Sequence, residues 1–508
     1  MLLPKFHAPL TAPQVVKTLS LTLAISFFIP NTLIQAHNST DTQMLGLNEI
    51  EENQMNQQRD LQRVRIMEME RSTFSDLNSG NLTDKALIKG QENPARFFSN
   101  PSAQMLTNIF QMDQMNLTRG QILGKPWSDD YWPISKGITS YRYGDDSFLN
   151  NGSWREFYNF FRSYPTSLYL QNQTTSRLSP AEKYDLLIGQ NYTGPLSANV
   201  PQNMPLTFFN WRQGQNFADA SGNVASWMGI CHGWAAASYL VDRPLKKVVA
   251  TSPTGKQLVF YPADLKALMS QLWANTKYPT YFVGGRCNVK NPQRDPANGR
   301  IIDENCFDNN PGVWHQVVVG RVGKMKKSLV MDITYDQEVW NQPILSYSYS
   351  YFNPITKKST NSLAEAMVDV ARFPQDPFRK YRSNQVRNIV GIKMDVTYLV
   401  ENNPNQSEFD DFSGDEVDNA QYRYDLELDS RGQIIGGEWH TKNHPDFLWS
   451  PVDGYKTSHP QERSLQGLYT NPSQQRVPAQ WLPLAKQAAS TGVPLEKILS
   501  SLISTSRR

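Results

Sequence analysis

The sequence has no excess of charge of either sign: 50 Lys and Arg stand against 47 Asp and Glu, a formal net charge of +3. Lys5 and Lys17 fall in the first segment, which reads as a leader, so the mature chain is nearer neutrality still. A balance this even excludes bulk electrostatic binding to nucleic acid or to an anionic membrane. Past the N-terminus no apolar run reaches transmembrane length, so no stable membrane span is expected. The 32 prolines and 29 glycines are dispersed rather than clustered, which excludes a low-complexity chain and fits a loop-rich globular one. Cysteine is scarce, three in 508 residues, and each one needs a reason.

Lys5 and Lys17 precede an apolar stretch from Leu19 to Ile29, with small Ala36 at a candidate cleavage point. That pattern predicts a signal peptide over 1–36 and an exported, secreted protein. Residues 37–125 are rich in Gln, Asn and Met, and Glu49 to Arg71 has the charge pattern of an exposed helix. They are expected to form a helical arm or propeptide-like region. Aromatic density rises at Trp127, Tyr131 and Trp132, which places the start of a packed catalytic domain near 126 and its end near 470, with a tail over 471–508. Cys287 and Cys306 flank a loop rich in Pro, Asn, Asp and Gly, and a bridge there would stabilise by about 3 kcal/mol. Cys231 is then the odd thiol, although any other pairing, or none, also fits the count.

Ser179-Pro180-Ala181-Glu182 predicts a capped helix start. A second helix is expected after Pro262, with Leu265, Leu268, Met269, Leu272 and Trp273 on one face. Strands are expected later, at Val317 to Val322, Leu329 to Thr334, Ile392 to Tyr398 and Tyr422 to Leu428, where apolar and polar residues alternate or short apolar runs occur. Helices first and antiparallel strands later give an α+β fold.

Cys231 lies in Gly229-Ile230-Cys231-His232-Gly233-Trp234, followed by a small-residue helical run. A thiol at a helix N-terminus feels the positive end of the dipole, which lowers its pKa. The alternative is a buried structural cysteine. A nucleophilic thiol needs a base and a group to orient it. His315 follows the turn Asn310-Pro311-Gly312, and a two-residue hairpin at Gly323-Lys324 would put Asp332 directly across from it. Sliding the turn makes Asp336 the partner instead. His440 and His444 are the runner-up bases. The acidic loop from Asp410 to Asp418 does not follow the EF-hand pattern, so a solvated loop is expected there.

The segments Ser179 to Asp185, Gly229 to Ala235, Pro311 to His315, Gly436 to Trp439 and His444 to Trp449 together resemble the oomycete transglutaminase elicitor family. The resemblance spans roughly Ser140 to Trp449. It implies a papain-like or transglutaminase-like arrangement and a secreted protein-glutamine γ-glutamyltransferase with a cysteine-protease-like triad, for which the residues read above offer Cys231, His315 and Asp332. Its substrates would be proteins with accessible Gln and Lys. Calcium is left open as a cofactor. In the mechanism this implies, Cys231 forms a thioester that a primary amine resolves, and Trp227, Trp234 and Trp314 are candidates for an aromatic channel that disfavours water. The rival readings are a secreted papain-like cysteine peptidase and a non-catalytic elicitor or recognition protein.

Overall fold

The structure is a computed structural model that describes residues 92–508, apart from 149–150, 191–202, 288, 304–305, 307–308, 336–337 and 443. The leader, the helix expected over Glu49 to Arg71 and Asp336 lie outside the described residues.

In chain order the elements that position the site begin with β1 (Arg119–Gln121), α1 (Trp154–Ser163), α2 (Pro180–Leu187), α3 (Pro205–Phe217) and α4 (Cys231–Leu240). A two-stranded ribbon, β2 (Val248–Thr251) and β3 (Gln257–Phe260), leads into α5 (Pro262–Asn275) and β4 (Thr280–Gly284). Then come α6 (Pro311–Val318), β5 (Val330–Asp332), β6 (Asn341–Phe352), β7 (Asn388–Val400), β8 (Glu416–Leu428), β9 (Ile434–Trp439) and β10 (Phe447–Pro451). Two helices close the chain, α7 (Leu482–Ser490) and α8 (Glu496–Ser506). The fold is α+β, with an antiparallel sheet in the order β9-β8-β7-β6-β5-β10-β4. β1, which precedes residue 125, pairs with β6 through Arg119 and Ser348.

The sheet separates two cores, and strand parity shows which side chain goes where. Leu329 and Met331 point into one core with Trp314, Tyr349 and Tyr424, while Val330 between them points into the other with Cys231 and Trp449. Leu448 and its neighbours Phe447 and Trp449 divide the same way. Tyr422, Tyr424, Leu426 and Leu428 face α6, as their alternation predicts. Leu495, Ile498, Leu499 and Leu502 of the tail pack into the Cys231-side core.

Helix α2 is buried along its whole length, charges included. Ser179 and Glu182 form the expected capping box, and Glu182 also takes two hydrogen bonds from Arg142, at 2.8 and 2.6 Å. Lys183 pairs with Asp264 of α5 at 2.7 Å. Asp185 accepts the backbone N–H groups of Leu206 and Thr207, so its carboxylate caps the N-terminus of α3. The charges in this motif tie helices together from inside.

One secondary-structure expectation is overturned. Val317 to Val322 is not a strand: α6 runs through Val318 and continues as a π-helical turn over Val319–Lys324. Asn310 caps the helix and Pro311 sits at its first turn. Val313, Val317, Val318, Val319 and Val322 are all fully buried. A helix apolar on every side has no 3.6-residue polar rhythm, so its sequence looks like a buried strand. The hairpin at Gly323-Lys324 therefore does not form.

Candidate active site

Cys231 is the first residue of α4 and is 5% exposed. The glycines around it serve close backbone packing. A Cβ at Gly233 would lie 2.1 Å from the Ser270 carbonyl of α5, and one at Gly229 would lie 2.4 Å from the Tyr131 carbonyl. That same Tyr131 carbonyl accepts the Ile230 N–H at 2.8 Å, which fixes the entry to the helix.

The Cys231 thiol faces the first residues of β6. Its Sγ lies 3.5 Å from Nδ2 of Asn341 and 3.9 Å from the Val339 carbonyl. The Asn341 carboxamide is held from behind, because its Oδ1 accepts the indole N–H of Trp449 at 2.7 Å. Asp332 stands next to Asn341 in the β5–β6 register. Its Oδ1 accepts three hydrogen bonds, from the Thr334 N–H, the Thr334 hydroxyl and the Trp340 N–H. Its Oδ2 is buried and has no hydrogen-bond partner among the described residues. Tyr131 and Trp340 pack at 5.8 Å between ring centres beside the thiol. Glu401 accepts from Gln342 at 2.8 Å.

The electrostatics differ from the expectation for a helix N-terminus. Burial pushes the Cys231 thiol up to about 11; the Asn341 hydrogen bond draws it down, and the charges of Glu401 and Asp332 push it up. Desolvation is the largest of these causes and sets the direction. Burial also raises Asp332, to about 7, against the lowering effect of its backbone and Thr334 hydrogen bonds. A carboxyl in that range exchanges protons near neutral pH.

His315 is elsewhere. It sits on α6 rather than on a strand, with Nδ1 2.8 Å from the Tyr424 hydroxyl and its ring edge-on to Tyr349 at 5.0 Å. Both tyrosines belong to the far core, so the sheet stands between His315 and Cys231. Burial alone pushes His315 down to about 3. The structure thus brings Cys231 and Asp332 to one side and leaves His315 on the other. The cross-strand His315–Asp332 pair is absent because the hairpin that would align it is helical. Of the runner-up bases, His440 bonds Asp425 at 2.7 Å and His444 stacks on Trp439 at 5.0 Å. Neither bonds Cys231. Trp234 and Trp314 are fully buried core residues, leaving Trp227 as the half-exposed member of the expected aromatic channel.

A comparison with family profiles matches the transglutaminase elicitor family over residues 212–466. The chain belongs to that family. A search of solved structures finds the crystal structure of the GP42 transglutaminase from Phytophthora sojae, at 20% identity, over 79% of this chain and 98% of that one, with a TM-score of 0.47. Curated proteins give no match. The family match contains Cys231, Asp332, Asn341, Glu401 and Trp449, whereas Tyr131 and Arg142 precede it.

Sequence reasoning passed over Asn341, Trp340 and Glu401. The available signal was local: Trp340-Asn341-Gln342 puts two carboxamides at the head of an otherwise tyrosine-rich strand, where polar side chains are buried only if bonded. Cys287 and Cys306 form a disulfide, leaving Cys231 as the free cysteine. Calcium does not fit the acidic loop. Asp410 is taken by Arg243 and Lys266, Asp415 by Arg243, and Asp411 bonds Ser413. Carboxylates neutralised by three cationic contacts are poor ligands for a hard cation. Among the described residues no cluster of three or more His, Cys, Asp or Glu could hold a metal. Nor is any helix among them long and apolar enough to cross a membrane.

Proposed function

We propose that this chain is a secreted protein-glutamine γ-glutamyltransferase that works through a thioester on Cys231. Supporting this are the family assignment and one observation above all: the free thiol sits at a helix N-terminus against the anchored Asn341 carboxamide. Substrates are proteins with an accessible glutamine and, as acceptor, a lysine or other primary amine.

In the reaction, the Cys231 proton passes to the Asp332 carboxylate as Sγ attacks the glutamine carboxamide carbon. The charge on the carbonyl oxygen is met by the Cys231 backbone N–H and by Nδ2 of Asn341, in the manner of an oxyanion hole. Asp332 returns the proton to the departing nitrogen, and ammonia leaves. A primary amine then attacks the thioester and hands its proton to Asp332 as the Sγ–C bond breaks. A carboxyl titrating near 7 suits both directions of transfer. His315 takes no part in this scheme and serves the opposite core. Export is supported by the Leu19 to Ile29 leader pattern and by the Cys287–Cys306 bridge, which an oxidising compartment preserves.

The neutral resting thiol, with no histidine bonded to it among the described residues, favours a second reading: a recognition protein that performs no turnover. Incorporation of a labelled primary amine into a glutamine-containing protein separates the two. The enzyme labels the protein and Cys231→Ala does not, while the recognition protein gives no label in either form. A peptidase would instead cleave that protein and leave no amine adduct.

A further inference from the structure

A cavity of about 600 Å3 lies away from the thiol, walled by the 294–301 loop, the start of α6 and the segment around Trp439 to His444. Its wall carries buried polar atoms with no hydrogen-bond partner among the described residues, among them Nδ2 and Oδ1 of Asn309, Nη2 of Arg294 and Oγ1 of Thr441. Such groups are rare in native proteins. Here they converge on one cavity.

Asn309 is held by its main chain, leaving its carboxamide without a task in the fold. Its N–H donates to the Asp446 carbonyl at 2.9 Å, and its carbonyl accepts the Trp439 indole N–H at 2.8 Å. Arg294 is fixed by a hydrogen bond from Nη1 to the Gly299 carbonyl at 3.0 Å and by stacking over Tyr335. Trp439 and His444 add a flat wall, parallel to within 4°. Glu438 pairs with Arg300 at 2.7 Å and Asp295 with Lys380 at 2.7 Å, while Arg294 and Lys442 in the wall have no salt bridge among the described residues.

These atoms are two NH2 nitrogens that donate, one carbonyl oxygen that accepts and one hydroxyl, which acts as either. A planar carboxamide with neither end hydrogen-bonded matches the donor–acceptor edge of another amide. We propose that this cavity binds an extended peptide segment through its amide groups, with Asn309 pairing one amide by two hydrogen bonds and Arg294 donating to a neighbouring carbonyl. Carbohydrate hydroxyls could also satisfy single atoms, but they are not planar and do not match the paired edge. Tyr335, three residues beyond Asp332, touches both Arg294 and His444, so the cavity adjoins the sheet end that carries the candidate active site. The inference goes beyond acyl transfer and does not depend on it, because binding here needs no thiol.

Titration calorimetry tests this on the full-length Cys231→Ala chain, in which turnover through the thiol is removed. The probe is an N-acetylated, C-amidated hexapeptide of alternating glycine and glutamine, with chitotetraose as the contrasting ligand. One-site binding of the peptide is expected, weakened about tenfold or more by Asn309→Leu and by Arg294→Met. If Asn309→Leu does not fold, Arg294→Met and Thr441→Val decide. Peptide affinity unchanged by these substitutions, absence of peptide binding at millimolar concentration, or binding of chitotetraose alone would each overturn the proposal.

Discussion

Alkylation of Cys231 gives the sharpest check on the electrostatics of the site. With Cys287 and Cys306 joined, iodoacetamide can label one thiol in the non-reduced protein. A thiol titrating near 11 instead of 9.0 is about one part in 1,000 thiolate at pH 8, where the ordinary group is about one part in 10. Ionisation alone should slow labelling about 100-fold relative to an unperturbed thiol, and the 5% exposure of Cys231 slows it further. The sign follows from the cause: burial disfavours the charged form, so the rate must climb about tenfold per pH unit and level off only near 11. Asn341 donates to the sulfur and lowers its pKa, so Asn341→Leu should slow labelling at every pH below that plateau. Rates followed by intact mass between pH 6 and 10 make the test. A plateau below pH 8.5 would refute the reasoning, for it would mean that a cation or the helix dipole, not burial, sets the thiol.

Three further outcomes follow from the packing. Glu182→Gln leaves Arg142 buried and without its charge partner and should lower stability by about 3–5 kcal/mol in urea unfolding; a loss under 1 would contradict the role given to that pair. Gly233→Ala drives a methyl toward the Ser270 carbonyl and should destabilise the α4–α5 contact by about 1–3 kcal/mol, read as a lower Tm; a neutral result would mean the helices slide apart freely. Asp332→Asn should cut amine incorporation by about 100-fold or more, while His315→Gln should lower Tm and leave the rate within about threefold. The reverse pattern would restore His315 as the base.

The residues show why the sequence disclosed the fold better than the site. Alternation in Tyr422 to Leu428 and Ile392 to Tyr398 marks strands with one face in a core, and the structure has them so. The capping box at Ser179 and the apolar stripe after Pro262 are local signals, and both helices form. Val317 to Val322 misleads because complete burial erases the difference between helical and strand patterns. That local error carried over to the site, since the position of His315 relative to Asp332 depended on a hairpin that is a helix. Cys231 and Asp332 can be singled out by type: a leftover thiol, and a carboxylate interrupting an apolar strand. Asn341 cannot be found that way. Its neighbours Cys231 and Trp449 lie 110 and 108 residues away, one on helix α4 and one on strand β10, and only the tertiary fold joins them.

The most direct test of the central claim is the mass of the protein after incubation with a glutamine-containing peptide and no amine. An acyl adduct of the peptide less ammonia is expected on Cys231, discharged on adding a primary amine to give the amine–peptide conjugate, and lost in Cys231→Ser. A conjugate that still forms in Cys231→Ser, or a peptide that is deamidated by water while the amine stays unreacted, would contradict it.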